Sequence, residues 1–303
     1  MRIILWILFG GFLGVALLPY ILFRQKEMPA GTSLRSPAFE FETARLLIDQ
    51  TFWDEDAQSH RLEHEIFDAI LAEIDAAETF LIVDFFLWNP WLGEIEASSD
   101  LRPLASELVE ALLLKRVQNP SLPILVLTDP INRVYGDESP EHLAQLAGAG
   151  IPVVYTDLSQ LPDSNRIYSP QAWFWKQYLP DTLRNSEKGI VGNPFEPSAG
   201  KLTPGQIARL LHFKANHRKV LVSGFAKQPP RLIIGSLNPA DGSANHSNLA
   251  ALVDGAVAIY AALSELEIAE WSSSGQDGED SKLQTTIAAI RALLPAAESL
   301  PRS

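Results

Sequence analysis

Helical patterns and short apolar runs of strand type alternate along the middle of this chain. Within each helical pattern, apolar residues recur at three- and four-residue spacing, which puts one apolar face on a helix. Each apolar run has the length and the β-branched or aromatic content of a buried strand. Such repeated units predict an α/β fold with a mixed, mostly parallel sheet flanked by helices. The three pairs are Arg61–Ala76 with Phe80–Leu87, Leu101–Val117 with Pro123–Thr128, and Glu138–Ala149 with Ile151–Tyr155.

A long stretch without this alternation separates the third pair from the remaining strands. Ser159–Gly200 contains five prolines and an aromatic cluster around Trp173. Loops of this length inside a domain are often functional, and the aromatic residues would pack on the core, cover an active site or face lipid. Three strands and a helix follow, and then one amphipathic helix. These elements are Val220–Ser223, Arg231–Ser236, Leu249–Asp254, Ala256–Trp271 and Leu283–Leu294.

An uncharged run near the N-terminus is long enough to cross a bilayer. Ile3–Phe23 has 21 residues, and about 20 residues span a hydrocarbon core of about 30 Å. A cleaved signal peptide, usually with a shorter apolar region, and a buried helix are the alternatives. The sequence predicts a single-pass protein of the cell membrane, with flanking charges that weakly favour a cytoplasmic body and leave its side undetermined. The predicted divisions are residues 1–24 as transmembrane anchor, 25–40 as linker, 41–271 as the folded domain, and 272–303 as a linker and helix.

The charge balance and the lack of cysteine exclude several kinds of site. The 303 residues include 24 Lys and Arg against 37 Asp and Glu, a net charge of −13, which argues against nucleic acid as a partner. Without cysteine, the chain has no disulfide, thiolate metal site or cysteine nucleophile. No group of His, Asp and Glu shows ligand spacing, so the sequence predicts neither a metal nor another cofactor.

One window of the chain reverses the acidic balance. Lys201–Arg231 contains seven Lys and Arg residues and no Asp or Glu. Inside it, His217 and Lys219 lie two residues apart before a β-branched run, so both side chains would point to the same side of a strand. Such a pair suits a phosphate, since lysine supplies positive charge and histidine attacks phosphorus or moves a proton. A solvated basic strand edge is the alternative.

A second small motif follows the next apolar run. Gly235-Ser236-Leu237-Asn238 comes directly after Leu232-Ile233-Ile234, and Asn248 follows ten residues later. Small residues at a strand end let backbone N–H groups and hydroxyls approach an anionic oxygen closely.

Together, the two motifs resemble the phospholipase D superfamily, whose pattern is His-x-Lys-x4-Asp followed by a Gly-Ser-x-Asn turn. The segment Asn216–Val222 is similar to that of cardiolipin synthase-like members. The resemblance covers about one lobe of the family fold, residues 45–271, and implies a phospholipase D-like lobe. It implies that His217 is the nucleophile or its acid/base partner and that Lys219 binds phosphate oxygens. The substrate-binding residues that it implies are Ser236, Asn238 and Asn248.

The chain departs from the family pattern in three ways. Gly224 stands at the position of the aspartate, no acid follows Asn248 in an Asn-x-Glu, and there is one such motif where the family's site has two. In-line displacement at phosphorus needs an attacking group on one side and a proton donor on the other. A chain with one motif therefore pairs with a second copy, receives the second half from elsewhere, or is inactive. The terminal helix Leu283–Leu294 resembles the start of a missing second lobe.

Two functions follow from this resemblance. The first is a membrane-anchored phosphodiesterase or transphosphatidylase that acts on a phospholipid, or another phosphodiester, through a histidine nucleophile. The second is a degenerate, non-catalytic relative that binds anionic lipid or a partner subunit. The sequence predicts neither the headgroup nor the acceptor.

Overall fold

The computed structural model of the chain describes most of its residues and divides into two compact units. The first, here called the small unit, comprises Met1–Met28 and Leu158–Lys214. The second, here called the sheet unit, comprises Pro29–Asp157 and Ala215–Ser303. The described residues are 13–29, 31–32, 35–41, 43–56, 58–92, 101–136, 139–178, 188–194, 200–273 and 281–295.

The regular elements follow the predicted alternation over much of the chain. The strands are β1 (Ala44–Asp54), β2 (Ser59–His64), β3 (Leu81–Phe85), β4 (Ile124–Thr128), β5 (Val153–Tyr155), β6 (Val191–Gly192), β7 (Lys201–Leu202), β8 (Lys219–Ser223), β9 (Arg231–Gly235) and β10 (Asn248–Asp254). The helices are α1 (residues 13–22), α2 (Glu65–Ala76), α3 (Leu104–Gln118), α4 (Glu141–Gly148), α5 (Tyr168–Lys176), α6 (Pro204–Leu210), α7 (Ala256–Ser273) and α8 (Ser281–Leu293).

The sheet unit is built on one eight-stranded mixed sheet, in the order β2-β1-β10-β9-β8-β3-β4-β5. The neighbours β3, β4 and β5 are parallel, as their helical crossovers require. The other five neighbouring pairs are antiparallel. The prediction of a mostly parallel sheet is therefore wrong. Short connections join β8 to β9 and β9 to β10, and strands joined in this way pair antiparallel.

The first predicted helix begins later than its periodicity suggests. Ser59–His64 forms β2, and α2 starts at Glu65. β2 pairs with β1 in a hairpin, in which Trp53 lies opposite His60. The cross-strand partner decides the conformation of this segment, because strand preference depends on the neighbouring strand more than on local spacing.

Helices cover both faces of the sheet, and the strand residues alternate between two cores. Leu81 and Val83 belong to the core under α2, α3 and α4. Ile82 belongs to the other core, which packs against α7 and α8. This two-residue period is that of a pleated strand. Asp84 lies two residues after Ile82 and points to the same face of β3. Its ionisable side chain is therefore in the layer between the sheet and α7, where it is fully buried.

The predicted transmembrane anchor and single-pass membrane location need correction. Among the residues that the structure describes, no helix combines the length and the apolar character needed to span a bilayer. The described part of the predicted segment is α1, residues 13–22. Residues 1–12 lie outside the described part.

Within the small unit, the stretch predicted as irregular contains a helix. α5 carries the aromatic residues Trp173, Phe174 and Trp175. α1 packs against it: the amide of Gln171 donates to the Ala16 carbonyl over 2.7 Å. The N-terminal segment and the long insertion therefore form one body.

Candidate active site

One edge of the sheet unit collects the ends of four strands. β3 and β4 are parallel, so both end at this edge. β8 runs antiparallel to β3 and begins here, with Lys219 paired to Phe85. β9 runs antiparallel to β8 and ends here at Gly235. The motif that begins at Gly235 starts at the end of β9, and His217 precedes β8. The two sequence motifs therefore lie at the same edge.

His217 and Lys219 share one aromatic neighbour. The imidazole ring centroid of His217 lies 4.6 Å from that of Phe86. The Lys219 ammonium lies 5.0 Å from the same centroid, within cation–π distance. Lys219 Nζ also donates to the His217 carbonyl oxygen over 3.0 Å. His217 is exposed, whereas Lys219 is 7% exposed, so the site presents an accessible imidazole above a nearly buried cation.

The surroundings lower the pKa of both side chains. Burial, and then the Lys219 cation, lower the pKa of His217 below its ordinary value of 6.5, so this imidazole is mostly neutral at pH 7. Burial lowers the pKa of Lys219 to about 8, although Asp84 and Asp129 act in the opposite direction. Lys219 is thus still mainly a cation near neutral pH. A neutral imidazole beside an ammonium is the combination needed for attack on an anionic phosphate.

Asn216 ties the start of this motif to three other segments. Its side-chain amide donates to both carboxylate oxygens of Asp84, over 3.0 and 2.8 Å, and to Thr156 Oγ1 over 2.9 Å. Its backbone N–H donates to Asp129 Oδ2 over 2.6 Å. All four residues are buried. The backbone before His217 is therefore held by a buried polar network.

Two carboxyls meet beneath the motif. Asp84 is hydrogen-bonded to Glu265 of α7, and burial followed by the Glu265 charge raises its pKa well above the ordinary value. Glu265 Oε1 accepts from Arg218 Nη1 over 2.7 Å. The raised pKa favours the protonated form of Asp84, whose O–H can donate to Glu265. Arg218 is the ion-pair partner of Glu265.

Burial also raises the pKa of Asp129, to about 7, although the N–H groups of Ile131 and Asn216 and the charge of Lys219 oppose the rise. Asp129 follows β4 directly, and Oδ1 accepts from the Ile131 N–H over 2.8 Å. Near neutral pH, this carboxyl exchanges a proton while it supports the backbone of Asn216.

The residues implied by the second motif form a separate pair. Ser236 Oγ donates to Asn248 Oδ1 over 2.9 Å and accepts from the Leu249 N–H over 3.1 Å. Among the described contacts, none joins this pair to His217 or Lys219. Asn238 Oδ1 accepts from the N–H of Leu87, two residues after β3, over 3.2 Å. The roles of these side chains in substrate binding stay predictions.

Gly224, which replaces the family's aspartate, lies at the opposite end of β8 from His217. The five residues of β8 separate the two positions by about 16 Å at 3.3 Å per residue. A Cβ atom at Gly224 would approach the Phe80 ring to 2.3 Å and Thr79 Oγ1 to 2.4 Å. The glycine is needed for this packing, and the departure removes no group from the edge that carries His217.

The basic window of the sequence does not form one basic surface. Lys214 pairs with Asp163 over 2.8 Å inside the small unit. In the sheet unit, Arg218 pairs with Glu265, and Arg231 pairs with Glu73 over 2.9 Å at the other end of the sheet. Acids distant in sequence therefore neutralise much of the window.

Sequence analysis missed the residues that support the motif. Asp84, Asp129 and Glu265 are distant from it in the chain, and their relation depends on strand order. One signal was available: Asp84 is the single charged residue in the apolar run Phe80–Leu87. A buried charge of this kind needs a partner, and such groups often mark functional sites.

Comparisons with known proteins give a likeness of fold alone. No family model matches the chain, and no curated protein matches it. Nuc from Salmonella typhimurium, described as a phospholipase D family member, is 11% identical with a TM-score of 0.36, covering 76% of this chain and 93% of its own. NucT from Helicobacter pylori is 8% identical with a TM-score of 0.37, covering 75% and 97%. The family named for Nuc is the one that the sequence resembles, but these values assign no residue or activity.

Proposed function

We propose that this chain is a phospholipase D-like phosphodiesterase in which His217 is the nucleophile and Lys219 holds the phosphate. The observation that carries the proposal is the common position of both side chains against Phe86 at the sheet edge. A nearly buried ammonium there attracts a phosphate, while the exposed, mostly neutral imidazole can reach its phosphorus.

The proposed reaction has two displacements at phosphorus. A nitrogen of His217 attacks phosphorus, the bond to the leaving oxygen breaks, and an acid on the opposite side protonates that oxygen. Water, or an alcohol, then attacks the phosphohistidine, the P–N bond breaks, and the conjugate base of the same acid takes the proton. The Lys219 cation offsets the charge on the non-bridging oxygens in both steps.

The acid on the opposite side is proposed to be His217 of a second copy. The other histidines of the chain, His60, His64, His142, His212 and His246, include only one that begins a His-x-Lys, and His212 lies in the small unit. Two copies that meet at this sheet edge would supply an attacking and a protonating imidazole.

The proposed substrate is a phospholipid. The net charge of −13 disfavours a nucleic acid, which is recognised through many phosphates. The sequence-based argument for a lipid from a transmembrane anchor no longer stands. The non-catalytic alternative is weakened because Gly224 lies far from His217 along β8.

The catalytic proposal is tested with the soluble diester bis(p-nitrophenyl) phosphate and the full chain. We expect His217→Ala to lower the release of p-nitrophenol at least about a thousandfold, as loss of a nucleophile does. His246→Ala replaces an exposed histidine of the same unit and is the matched control. Turnover that survives in His217→Ala would refute the proposed nucleophile.

The second-copy proposal and the lipid proposal need separate measurements. Specific activity should fall on dilution as copies separate, and sedimentation should show the association; a fully active monomer would exclude the shared site.

With labelled phosphatidylglycerol vesicles and added ethanol, the covalent intermediate predicts phosphatidylethanol. Activity on the soluble diester without attack on lipid would leave a phosphodiesterase and exclude the proposed substrate.

A further inference from the structure

The small unit has the opposite charge sign to the rest of the chain. It contains ten Lys and Arg against five Asp and Glu, a net charge of +5. The sheet unit has 14 against 32, a net charge of −18. Positive charge is therefore concentrated in fewer than a third of the residues.

Most cations in the described part of the small unit are exposed. Arg24 and Lys26 are exposed near its N-terminal helix. Of the acids in its described part, Glu27 is exposed and Asp163 is buried against Lys214. The described part of this unit thus exposes seven cations and one acid. The exposed cations from the long insertion are Arg166, Lys176, Lys188, Lys201 and Arg209.

Exposed apolar side chains are concentrated in the same unit. Among the described residues, 25 large apolar side chains are exposed, and 16 of them belong to the small unit. This density is far above its share of the chain. Scattered exposed apolar residues are ordinary, but a concentration of them marks a surface for protein or lipid.

Helix α5 presents the aromatic part of this surface. Trp173 and Trp175 are 41% and 44% exposed, and Tyr178, directly after the helix, is 67% exposed. Trp175 and Tyr178 are three residues apart and lie side by side, and we call these two residues the aromatic surface; Trp173, two residues before Trp175, points to the other side of α5. The rings of Trp175 and Tyr178 are in edge contact, with centroids 6.2 Å apart. Lys176 is exposed on the same helix. Tryptophan and tyrosine beside lysine are typical of segments that lie at the headgroup level of a membrane.

Helix α5, which carries Trp175, is held in place by packing within the unit. The Phe23 ring contacts Trp173 edge-on, with centroids 6.1 Å apart. Tyr20 Oη donates to the Ile167 carbonyl over 2.9 Å, and Gln25 Nε2 donates to the Asp163 carbonyl over 2.7 Å. An ordered surface binds without the entropic cost of ordering a loop.

We propose that the small unit docks on the surface of an anionic lipid bilayer, with the aromatic surface at the headgroup level and the exposed cations facing lipid phosphates. Charge complementarity selects this occupant. An anionic leaflet attracts each Lys and Arg near it.

This docking deepens the proposed function and rests on it, because docking would bring a phospholipase to its substrate. Its test is independent of catalysis. Binding to vesicles and hydrolysis of a soluble diester report on different residues, so either proposal can fail alone.

The experiment is flotation of the full chain with vesicles of phosphatidylcholine alone, or with one third phosphatidylglycerol. We expect binding to the anionic vesicles and at least about tenfold weaker binding in Lys176→Glu/Lys201→Glu, since each cation contributes about fivefold. Lys227→Glu/Lys282→Glu, at exposed positions of the sheet unit, makes the same change in net charge and is the control. Trp175→Ala/Tyr178→Ala should weaken binding, whereas Leu114→Ala/Val117→Ala, exposed on α3, should not.

Hydrolysis of the soluble diester and the thermal midpoint should be unchanged in all these variants, which excludes misfolding as the cause. His217→Ala should bind vesicles like the parent. Equal binding to both kinds of vesicle by parent and variants would assign association to the apolar N-terminal run and overturn the proposal. Self-association that the aromatic variants abolish, without vesicle binding, would make the surface a copy-to-copy interface and also overturn it.

Discussion

The side-chain amide of Asn216 donates to both carboxylate oxygens of Asp84, over 3.0 and 2.8 Å. This contact joins the residue before His217 to the centre of β3, inside the layer between the sheet and α7. The buried side chain of Asn216 therefore positions the exposed imidazole of His217. Geometry at the sheet edge depends on a buried network that no substrate touches.

Removing the Asn216 side chain should destabilise the fold. Asn216→Ala leaves buried oxygens of Asp84 and Thr156 without the amide, and an unsatisfied buried group costs about 1–3 kcal/mol. We expect the free energy of unfolding in urea to fall by about 3 kcal/mol. Asn119→Ala, at the C-terminal end of α3, is the control and should change it little. Equal stability in the two variants would show that the network contributes nothing.

Introducing at Gly224 the aspartate of the phospholipase D pattern should harm this chain. In Gly224→Asp, the new Cβ atom meets Phe80 at 2.3 Å, so we expect a loss of about 2–3 kcal/mol of stability, as overpacking causes, and no gain in diester hydrolysis. Gly148→Ala, where a Cβ meets nothing within 4 Å, should keep the parent's melting temperature. Higher activity in Gly224→Asp would mean that the aspartate acts from the far end of β8.

The pH dependence of diester hydrolysis should show two limbs. Activity should rise with pH as His217 loses its proton, at a pKa below 6.5, because only the neutral imidazole attacks. The second copy's His217 adds no falling limb with this substrate, because p-nitrophenolate leaves without a proton and the second imidazole acts only as the base that takes the proton of water. Activity should fall above about pH 8, where Lys219 loses the charge that holds phosphate. The arginine of Lys219→Arg stays protonated, so the fall in activity at high pH should disappear, and the overall rate of hydrolysis should be lower. Lys227→Arg, at an exposed position, should leave the profile as it is.

Asp129 should make stability depend on pH. Its folded-state pKa is raised to about 7, so the folded chain binds more protons than the unfolded chain between about pH 4 and 7. The contribution of protonated Asp129 to the free energy of unfolding is therefore complete below pH 4. This contribution, up to about 4 kcal/mol, is lost as pH rises through 7. In Asp129→Asn, this part of the slope should vanish; the exposed substitution Asp56→Asn should keep it. Parallel stability curves for parent and Asp129→Asn would contradict the raised pKa.

The parallel part of the sheet could be predicted because it is local. Helix and strand follow each other from Glu65 to Tyr155, and each crossover places the next strand beside the last. β1 could not be predicted from its own pattern, because its pairing with β10 joins residues about 200 positions apart, such as Leu47 and Ala250. Two of the five antiparallel pairs, β1 with β10 and β3 with β8, join such distant segments.

The candidate site shows the same limit. His217 and Lys219 are two residues apart, so their joint position followed from strand geometry. Burial is the main cause of the lowered pKa of both side chains, and Asp84 and Asp129, which oppose it at Lys219, come from β3 and from the end of β4. Spacing along the chain carries no information on burial. For the same reason the acid-free window gave no sign that Glu73 and Glu265 would neutralise two of its arginines.

The hydrogen bond from Asn216 to Thr156 Oγ1 joins the two points at which the chain leaves and re-enters the sheet unit. The two ends of the inserted segment, Leu158–Lys214, are therefore adjacent. Its length can change without moving β5 or β8, since surface insertions with adjacent ends are well tolerated. Chains with this sheet could exchange the segment, and with it the surface they dock on, while the histidine and lysine stay fixed.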